Sequence, residues 1–418
     1  MVMERIEADL LLPGDGAPVP DGVVVLEEHT ITYAGPATQA PDTAGATTVR
    51  APVVMPGMWD CHTHFLGSPV VDLNALPLQP VALRAARITA DARAALEAGV
   101  TSVREVGGLG VHLARAVDEG TVPGPRIFAA GAVLSSTGGH ADLHAFPVDW
   151  VEDFGRRSGD LRVCDGPAEC ARAVREQLRM NAKIIKVCAS GGVLTEVDDP
   201  HHQLFTANEL HAIVETAALS QRAVAAHCHG KAGIMAALEA GALTIEHGTY
   251  LDDECCAAMK EMGAILVPTR LIVESLRHQD DIPEYARAKI RYVAEQHRES
   301  MAQAHENGIT IAMGTDIALP ASTGHACSWG RHGQELVHLV QAGMTPLEAI
   351  RGTTAHGPLT LGPQAPRSGK LEVGHDADVV TLDADPLADI AVLADPSHVT
   401  GVWSRGRRVK GADVASPA

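Results

Sequence analysis

Through the middle of the chain the hydrophobic positions repeat as one unit: a stretch with helical spacing that ends in glycine, followed at once by a short apolar run. The unit appears as Ala94-Ala-Leu-Glu-Ala-Gly-Val-Thr-Ser-Val-Arg104, Ala237-Leu-Glu-Ala-Gly-Ala-Leu-Thr-Ile-Glu-His247, Met259-Lys-Glu-Met-Gly-Ala-Ile-Leu-Val-Pro-Thr269 and Ala304-His-Glu-Asn-Gly-Ile-Thr-Ile-Ala-Met-Gly-Thr-Asp316. A glycine there supplies the left-handed C-cap that turns the chain directly into the next strand. The pattern predicts eight strands, near 52–64, 100–106, 126–132, 183–188, 223–229, 243–247, 264–269 and 310–316. Eight parallel strands with crossover helices most simply close into a (β/α)8 TIM barrel, whose functional groups collect at the C-terminal ends of the strands.

The two ends of the chain read differently. Residues 1–55 hold short apolar runs (Asp9-Leu-Leu-Leu, Val23-Val-Val-Leu, Thr30-Ile-Thr-Tyr) between Gly, Pro and Asp turns, which predicts hairpin strands. The texture returns in Gly369-Lys-Leu-Glu-Val-Gly, Ala377-Asp-Val-Val-Thr-Leu-Asp and Val399-Thr-Gly-Val-Trp-Ser-Arg-Gly-Arg-Arg-Val. Two β-rich ends around an α/β middle predict a small β-sandwich-like domain from residues 1–55 and 366–418, and a barrel from 56–365.

Composition adds exclusions. An apolar fraction of 46% is ample for a packed core, and a net charge of −19 with no long basic run opposes binding to nucleic acid or an anionic membrane. The opening Met1-Val-Met-Glu-Arg-Ile-Glu lacks a positively charged start followed by an apolar stretch, and nowhere do 18 uncharged apolar residues run together, so a cytoplasmic protein is expected. Eight cysteines show no C-x-x-C pair and fit free thiols in a reducing compartment. Cys61, Cys188 and Cys228 each adjoin a candidate site residue, and strand alternation is taken to turn them to the opposite face.

Chemistry collects at the expected strand ends. In Val54-Met-Pro-Gly-Met-Trp-Asp-Cys-His-Thr-His-Phe65, His62 and His64 share one face of a strand and offer two imidazoles to one ion. With 21 histidines among 418 residues, about one H-x-H arises by chance, and His227-Cys-His229 is a second. What lifts the first pair is its company: Arg104 and Glu105 on strand two, Gly131 leading to His140 on three, Lys186 on four, His227 and His229 on five, His247 on six, Thr269 and Arg270 on seven and Asp316 on eight. Any one of them, His247 for instance, is also readable as a hydrogen-bonded core side chain. Lys186 follows two isoleucines, where a bare ammonium loses most of its hydration. Such a lysine must be neutralised, paired or modified, and a lowered pKa makes it nucleophilic toward a carbonyl, as a Schiff base, or toward CO2, as a carbamate.

Other features read more plainly. Gly107-Gly-Leu-Gly110 lacks the lysine and hydroxyl of a phosphate loop and is expected to be a β/α turn. His201-His202, after Asp198-Asp-Pro, predicts a loop over the site. The Pro-broken run from Ser275 to Arg287 predicts a solvated loop leading to a helix.

The set Asp60-Cys-His-Thr-His64, Lys186, His227, His247 and Gly314-Thr-Asp316, inside two β-rich ends, resembles the amidohydrolase superfamily in its binuclear-metal form with a carboxylated lysine. Ser135-Ser-Thr-Gly-Gly-His-Ala-Asp142, Ile185-Lys-Val-Cys-Ala-Ser-Gly-Gly-Val193, Ala226-His-Cys-His-Gly230 and Ile245-Glu-His-Gly248 are similar to the branch of Xaa-Pro dipeptidases and metal-dependent carboxypeptidases, the imidazolonepropionase-like group. The resemblance implies that His62, His64 and Asp316 hold one divalent ion and His227 and His247 a second, both most simply zinc, bridged by a CO2-derived carbamate on Lys186 and by a hydroxide that attacks the substrate amide. It implies that Asp316 is the catalytic proton carrier. His140, after a Gly-Gly that lets backbone approach the cavity, and His229, on the same face as His227, are further candidates, to hold the carbonyl oxygen or a substrate carboxylate, and a homo-oligomer is expected. Arg270 is a further candidate for that carboxylate, through a bidentate guanidinium.

Three functions compete at this point. The first is a metal-dependent hydrolase of a dipeptide or N-acyl amino acid with a free carboxylate, a small-molecule substrate; its close variant takes non-peptide amides, carbamates or ureas. A Schiff-base lyase using Lys186 would leave the metal-type ligands idle. A non-catalytic metal-binding protein would normally have lost a ligand, and none is missing.

Overall fold

The computed structural model describes residues 3–279 and 282–411. Its strands in chain order are β1 (Met3–Leu11), β2 (Val19–Glu27), β3 (Thr30–Pro36), β4 (Thr47–Pro56), β5 (Met58–Thr63), β6 (Val100–Glu105), β7 (Arg126–Ala129), β8 (Val133–Ser135), β9 (Leu161–Val163), β10 (Ile185–Cys188), β11 (Val224–Cys228), β12 (Thr244–His247), β13 (Ile265–Val267), β14 (Val379–Leu382), β15 (Val399–Ser404) and β16 (Arg407–Lys410). The two ends of the chain build one seven-stranded sheet in the order β16-β15-β14-β4-β1-β2-β3. Alternation along β4 and β14 divides its faces: Val53, Met55, Val380 and Leu382 join the core shared with the barrel, whereas Val54 and Val379 pack with Ile6, Leu26 and Trp403 in a core of the sheet's own.

The other strands form the (β/α)8 barrel. β5, β6 and β7 pair in parallel, and so do β8, β10, β11, β12 and β13. Closure falls to the eighth segment, which forms bridges rather than a regular strand: Leu266 pairs with Ile311 on one side and Thr63 with Ile317 on the other. Cys61 and Asp316 amides complete that seam on the carbonyls of Met313 and His62, at 2.8 and 2.7 Å. The segment is irregular because Gly314 is pressed between Val267 and His62, where a Cβ would lie 2.3 Å from Val267 Cγ1. The glycines that end the four repeated units, Gly99, Gly241, Gly263 and Gly308, all adopt positive φ, as the cap requires.

Four expectations need correction. The predicted strand 52–64 is two strands, with β4 in the terminal sheet and β5 in the barrel. The break is at Gly57, where a Cβ would meet Thr101 Oγ1 at 2.1 Å, so only glycine lets the chain pass there. The third barrel strand bends between β7 and β8 at Gly131 (φ 74°) and acquires an outer partner, β9, that the pattern did not announce. Gly369–Gly374 is turn rather than strand; it is held by the Leu371 amide on Pro13 O. Of the run from Ser275 to Arg287, the first residues end the helix Arg270–Arg277, Asp280 and Asp281 lie outside the described residues, and a helix starts at Glu284. Among the described residues no helix is long and apolar enough to cross a membrane.

β9 is tied to the first barrel helix, Val81–Glu97, by a buried ion pair. Arg84 donates from both terminal nitrogens to Asp160 at 2.6 and 2.9 Å, and from Nε to Leu66 O at 2.7 Å. Neither side chain has appreciable exposure. Removing one member of such a pair strands the other charge. Arg84→Met is therefore expected to lower stability by about 3–5 kcal/mol, and Arg84→Met with Asp160→Leu to recover most of that loss, as read by urea denaturation.

Candidate metal centre

The barrel's C-terminal pole gathers six imidazoles. His62 lies on β5 and His64 one residue beyond it; His227 lies on β11 and His229 beyond it; His247 ends β12, and His140 comes from the loop after β8. Their rings form a continuous chain, with centroids 5.3 Å apart for His62–His64, 4.9 Å for His62–His247, 4.5 Å for His227–His247, 4.9 Å for His229–His247 and 4.4 Å for His140–His227. Lys186 Nζ is 3.5 Å from His62 Nε2, and Asp316 Oδ1 is 3.1 Å from His64 Nε2 and 3.6 Å from His62 Nε2.

Every ring is steered by a hydrogen bond at one nitrogen. His62 Nδ1 meets Glu246 Oε2 at 2.7 Å, and His64 Nδ1 meets the Gly107 carbonyl at 2.8 Å. His227 Nε2 lies 3.3 Å from Gly191 O; His229, His247 and His140 use Nδ1 on the hydroxyls of Thr249, Thr269 and Thr195 at 2.7, 2.7 and 2.9 Å. In each case the other nitrogen is left for its neighbours, the arrangement by which outer partners fix the lone pairs of metal-binding histidines. The 107–110 turn is thus a turn, as expected, and also the brace of His64.

Electrostatics point the same way. Burial, reinforced by the Lys186 ammonium, pushes His62 down to about 4. Burial also pushes His229 to about 3, and His227 and His247 well below the ordinary imidazole range. Lys186 is lowered by burial too. Burial would raise Asp316, but His62 and His64 hold its carboxylate at about 2. Burial would lower His64, but its contact with Asp316 raises it. The result is four imidazoles shifted toward the neutral form, His62, His227, His229 and His247, converging beside a carboxylate paired with His64. Ligand atoms of His62, His64 and Asp316 lie within 4.8 Å of one another, as do those of His227, His229 and His247. Converging lone pairs repel unless a cation sits among them, and imidazole with carboxylate is the donor chemistry of zinc and similar divalent ions. The residues fit two such ions.

Three strand ends reach this geometry through left-handed backbone: His247 (φ 69°), Thr269 (φ 59°) and Asp316 (φ 59°). Simple alternation would turn Glu246 and His247 to opposite faces, yet both contact His62. Non-glycine residues in that region cost about 1–3 kcal/mol each and cluster at functional sites.

Two expected placements fail. Arg270 does not line the cavity: Thr269's turn starts a helix at once, so the guanidinium goes to the Ala294 carbonyl and the Glu274 carboxylate one turn on. Cys188 lines the cavity instead of facing away, because it is two residues from Lys186 and so shares its face. Cys61 and Cys228 are in apolar clusters outside the cavity. His201 rests against Tyr250, with centroids 4.1 Å apart, and does not line the cavity. Unforeseen was Glu246. Wholly buried, it accepts Arg104 Nη2 at 2.6 and 2.7 Å while holding His62; Arg104 Nη1 reaches Thr244 Oγ1 at 2.9 Å. Burial alone would raise its pKa, but Arg104 and His62 keep it well below the usual carboxylate range.

A family model described as "Amidohydrolase family" matches residues 53–409. The chain is 40% identical to an ochratoxinase of Aspergillus niger over 427 aligned positions, covering 98% of this chain and 87% of that protein. The crystal structure of A. niger ochratoxinase is similar at a TM-score of 0.93 and 39% identity, covering 99% of this chain and 97% of that one. A prolidase complexed with N-methylphosphonate-L-proline is similar at 0.90 and 32% identity, over 98% and 100% of the two chains. A Xaa-Pro dipeptidase with methionine bound in its active site gives 0.86 and 30%, over 98% and 100%.

Glu246→Gln keeps the shape but removes the charge that orients His62 and balances Arg104. Metal affinity is expected to fall about 10–100-fold, the usual cost of losing an outer partner, as measured by competition with a chelator. Unchanged affinity would show that His62 does not depend on Glu246.

Proposed function

The chain belongs to the amidohydrolase family, and on that premise we propose that it is a metal-dependent hydrolase cleaving the amide bond of a dipeptide or N-acyl amino acid with a free carboxylate. The observation that carries this reading is the cavity over the histidine cluster. Its floor is His62, His64, Lys186, His227, His229, His247 and Asp316, and its wall is aliphatic, including Val193, Leu194, Ile272, Val273, Leu276 and Ile290. A reacting carbonyl at the floor would carry an apolar side chain or acyl group against that wall. The ligands named in the two related structures, N-methylphosphonate-L-proline and methionine, both bear an amino-acid carboxylate, which supports the free-acid requirement.

In this reading His62, His64 and Asp316 would hold one divalent ion and His227 and His247 the other, with His229 within reach. Burial shifts Lys186 toward its neutral amine, which would add CO2 with loss of a proton to give a carbamate able to serve as a further anionic ligand. Two such ions, zinc being the best match to these donors, would polarise the scissile carbonyl and lower the pKa of the attacking water. Asp316, held ionised, receives that water's proton and passes it to the leaving nitrogen. His140 and His229 face the cavity beside His227 and hold the carbonyl oxygen or the substrate carboxylate. All eight cysteines are buried free thiols, which supports a reducing, cytoplasmic setting.

One observation favours a second reading. Among the described residues lining the cavity there is no arginine, and the single lysine, Lys186, is committed to the floor. A pocket so poor in fixed positive charge also suits neutral amides, carbamates or ureas. A panel of N-acyl amino acids, dipeptides, their carboxamides, carbamates and aryl ureas separates the two. The free acids are expected to exceed their carboxamides in kcat/KM by about tenfold or more, the scale of one charge-assisted hydrogen bond. Equal rates for both, or faster cleavage of neutral ureas, would select the second reading.

Asp316→Asn is expected to cut kcat by at least about 10²-fold, as loss of a general base does, while most of the metal stays bound. Parallel turnover and metal analysis checks this; near-normal kcat would remove Asp316 from the proton path.

A further inference from the structure

His140 is held by a network that the proposed chemistry does not account for. Its Nδ1 is 2.9 Å from Thr195 Oγ1 and 3.5 Å from Asp198 Oδ2. A hydroxyl has one proton, and Thr195 gives its proton to Asp198 Oδ1. Thr195 can therefore only accept from His140, so the imidazole must carry its hydrogen on Nδ1 and leave Nε2 for the cavity. The loop backbone closes on the ring so tightly that a Cβ at Gly192 would lie 2.1 Å from His140.

Asp198 is anchored from two further sides. Its Oδ2 accepts the Gly192 amide at 2.7 Å, and its Oδ1 is 3.2 Å from Lys289 Nζ. Lys289 projects from the helix Glu284–Glu306 and donates to the carbonyls of Gly192 and Thr195, at 3.1 and 2.6 Å, and of Asp198. Three carbonyls turned inward on one short loop need such a donor. The same elements supply the cavity wall, through Val193 and Leu194 on the loop and Ile290 next to Lys289. A lysine serving only to anchor the loop would account for the carbonyl contacts. It would not account for a buried carboxylate and a hydroxyl both aimed at one imidazole.

We infer that Asp198, Thr195 and Lys289 are positioning residues for His140, fixing its tautomer and its orientation and coupling both to the conformation of loop 191–199. The inference rests on the proposed function only in that His140 faces the substrate. A buried carboxylate that holds an imidazole by Nδ1–H leaves Nε2 aligned for the carbonyl oxygen or the leaving nitrogen, and it removes the alternative tautomer.

Thr195→Val removes the hydroxyl at nearly constant volume, and Thr195→Ser restores it. Thr195→Val is expected to lower kcat/KM at least about tenfold with bound metal and thermal midpoint unchanged, and Thr195→Ser to recover most of the loss. In combination with His140→Ala it should add nothing to the loss from His140→Ala alone. Additive losses, or wild-type kcat/KM in Thr195→Val, would overturn the inference. Histidine side-chain 15N NMR on the zinc-loaded protein gives a readout that needs no substrate, the His140 signals being identified by their absence in His140→Gln. Nδ1–H in the wild type and mixed tautomers in Thr195→Val support the inference even if every amide in the panel proves inert, whereas Nε2–H in the wild type overturns it. Lys289→Met should speed amide exchange across 191–199 and mix the same tautomers; unchanged exchange would remove Lys289 from the network.

Discussion

Glu246 is the carboxylate on which the centre of this molecule depends. It is the third residue of its strand and has no exposure. It binds Arg104 from β6 with both oxygens and His62 from β5 with one, so a single side chain ties together three strands of the barrel. An isolated charge there would cost several kcal/mol; the pair is retained in a form that also sets the direction of an imidazole. His62 Nδ1 is spent on Glu246, which leaves Nε2 directed toward Lys186 and Asp316. The barrel also carries an apolar cluster that includes Trp59, Ala130, Ile184, Ala225, Ile265 and Ala312.

The imidazole layer has its own physical logic. Burial shifts His62, His227, His229 and His247 toward the neutral form, and Glu246, hydroxyls and carbonyls each take one ring nitrogen, so the remaining nitrogens converge on one another and on Lys186 and Asp316. Left-handed backbone at His247, Thr269 and Asp316 brings about this convergence, at a cost the ordinary core does not bear. The lone-pair repulsion is relieved by a cation. That is why the donor set, more than any one residue, argues for a metal centre, and why the aliphatic wall beside it reads as a place for the unreactive part of a substrate.

Much of this was legible in the sequence because it depends on short-range rules. The glycine caps at 99, 241, 263 and 308 marked helix-to-strand turns, and the two-residue period placed His62 with His64 and His227 with His229. What was not legible depends on contacts between distant segments. The break at Gly57 is imposed by Thr101, the irregular eighth segment by Val267 and His62, and Arg270's departure from the cavity by Ala294 and Glu274. The inward turn of His247 next to an inward Glu246 breaks alternation, so no periodicity could have announced it. Glu246 did leave a trace, as an acid within a short barrel strand immediately before a candidate ligand. Cys188 was readable too, since its spacing from Lys186 puts both on one face.

The central claim is that this pole of the barrel holds two divalent ions with a modified lysine between them. Anomalous diffraction from crystals of the protein grown with zinc and bicarbonate tests it most directly. The account predicts two anomalous peaks, one among His62, His64 and Asp316 and one beside His227 and His247, with carboxylate density extending from Lys186 Nζ between them. A single peak, or two peaks flanking a bare lysine amine, would contradict it.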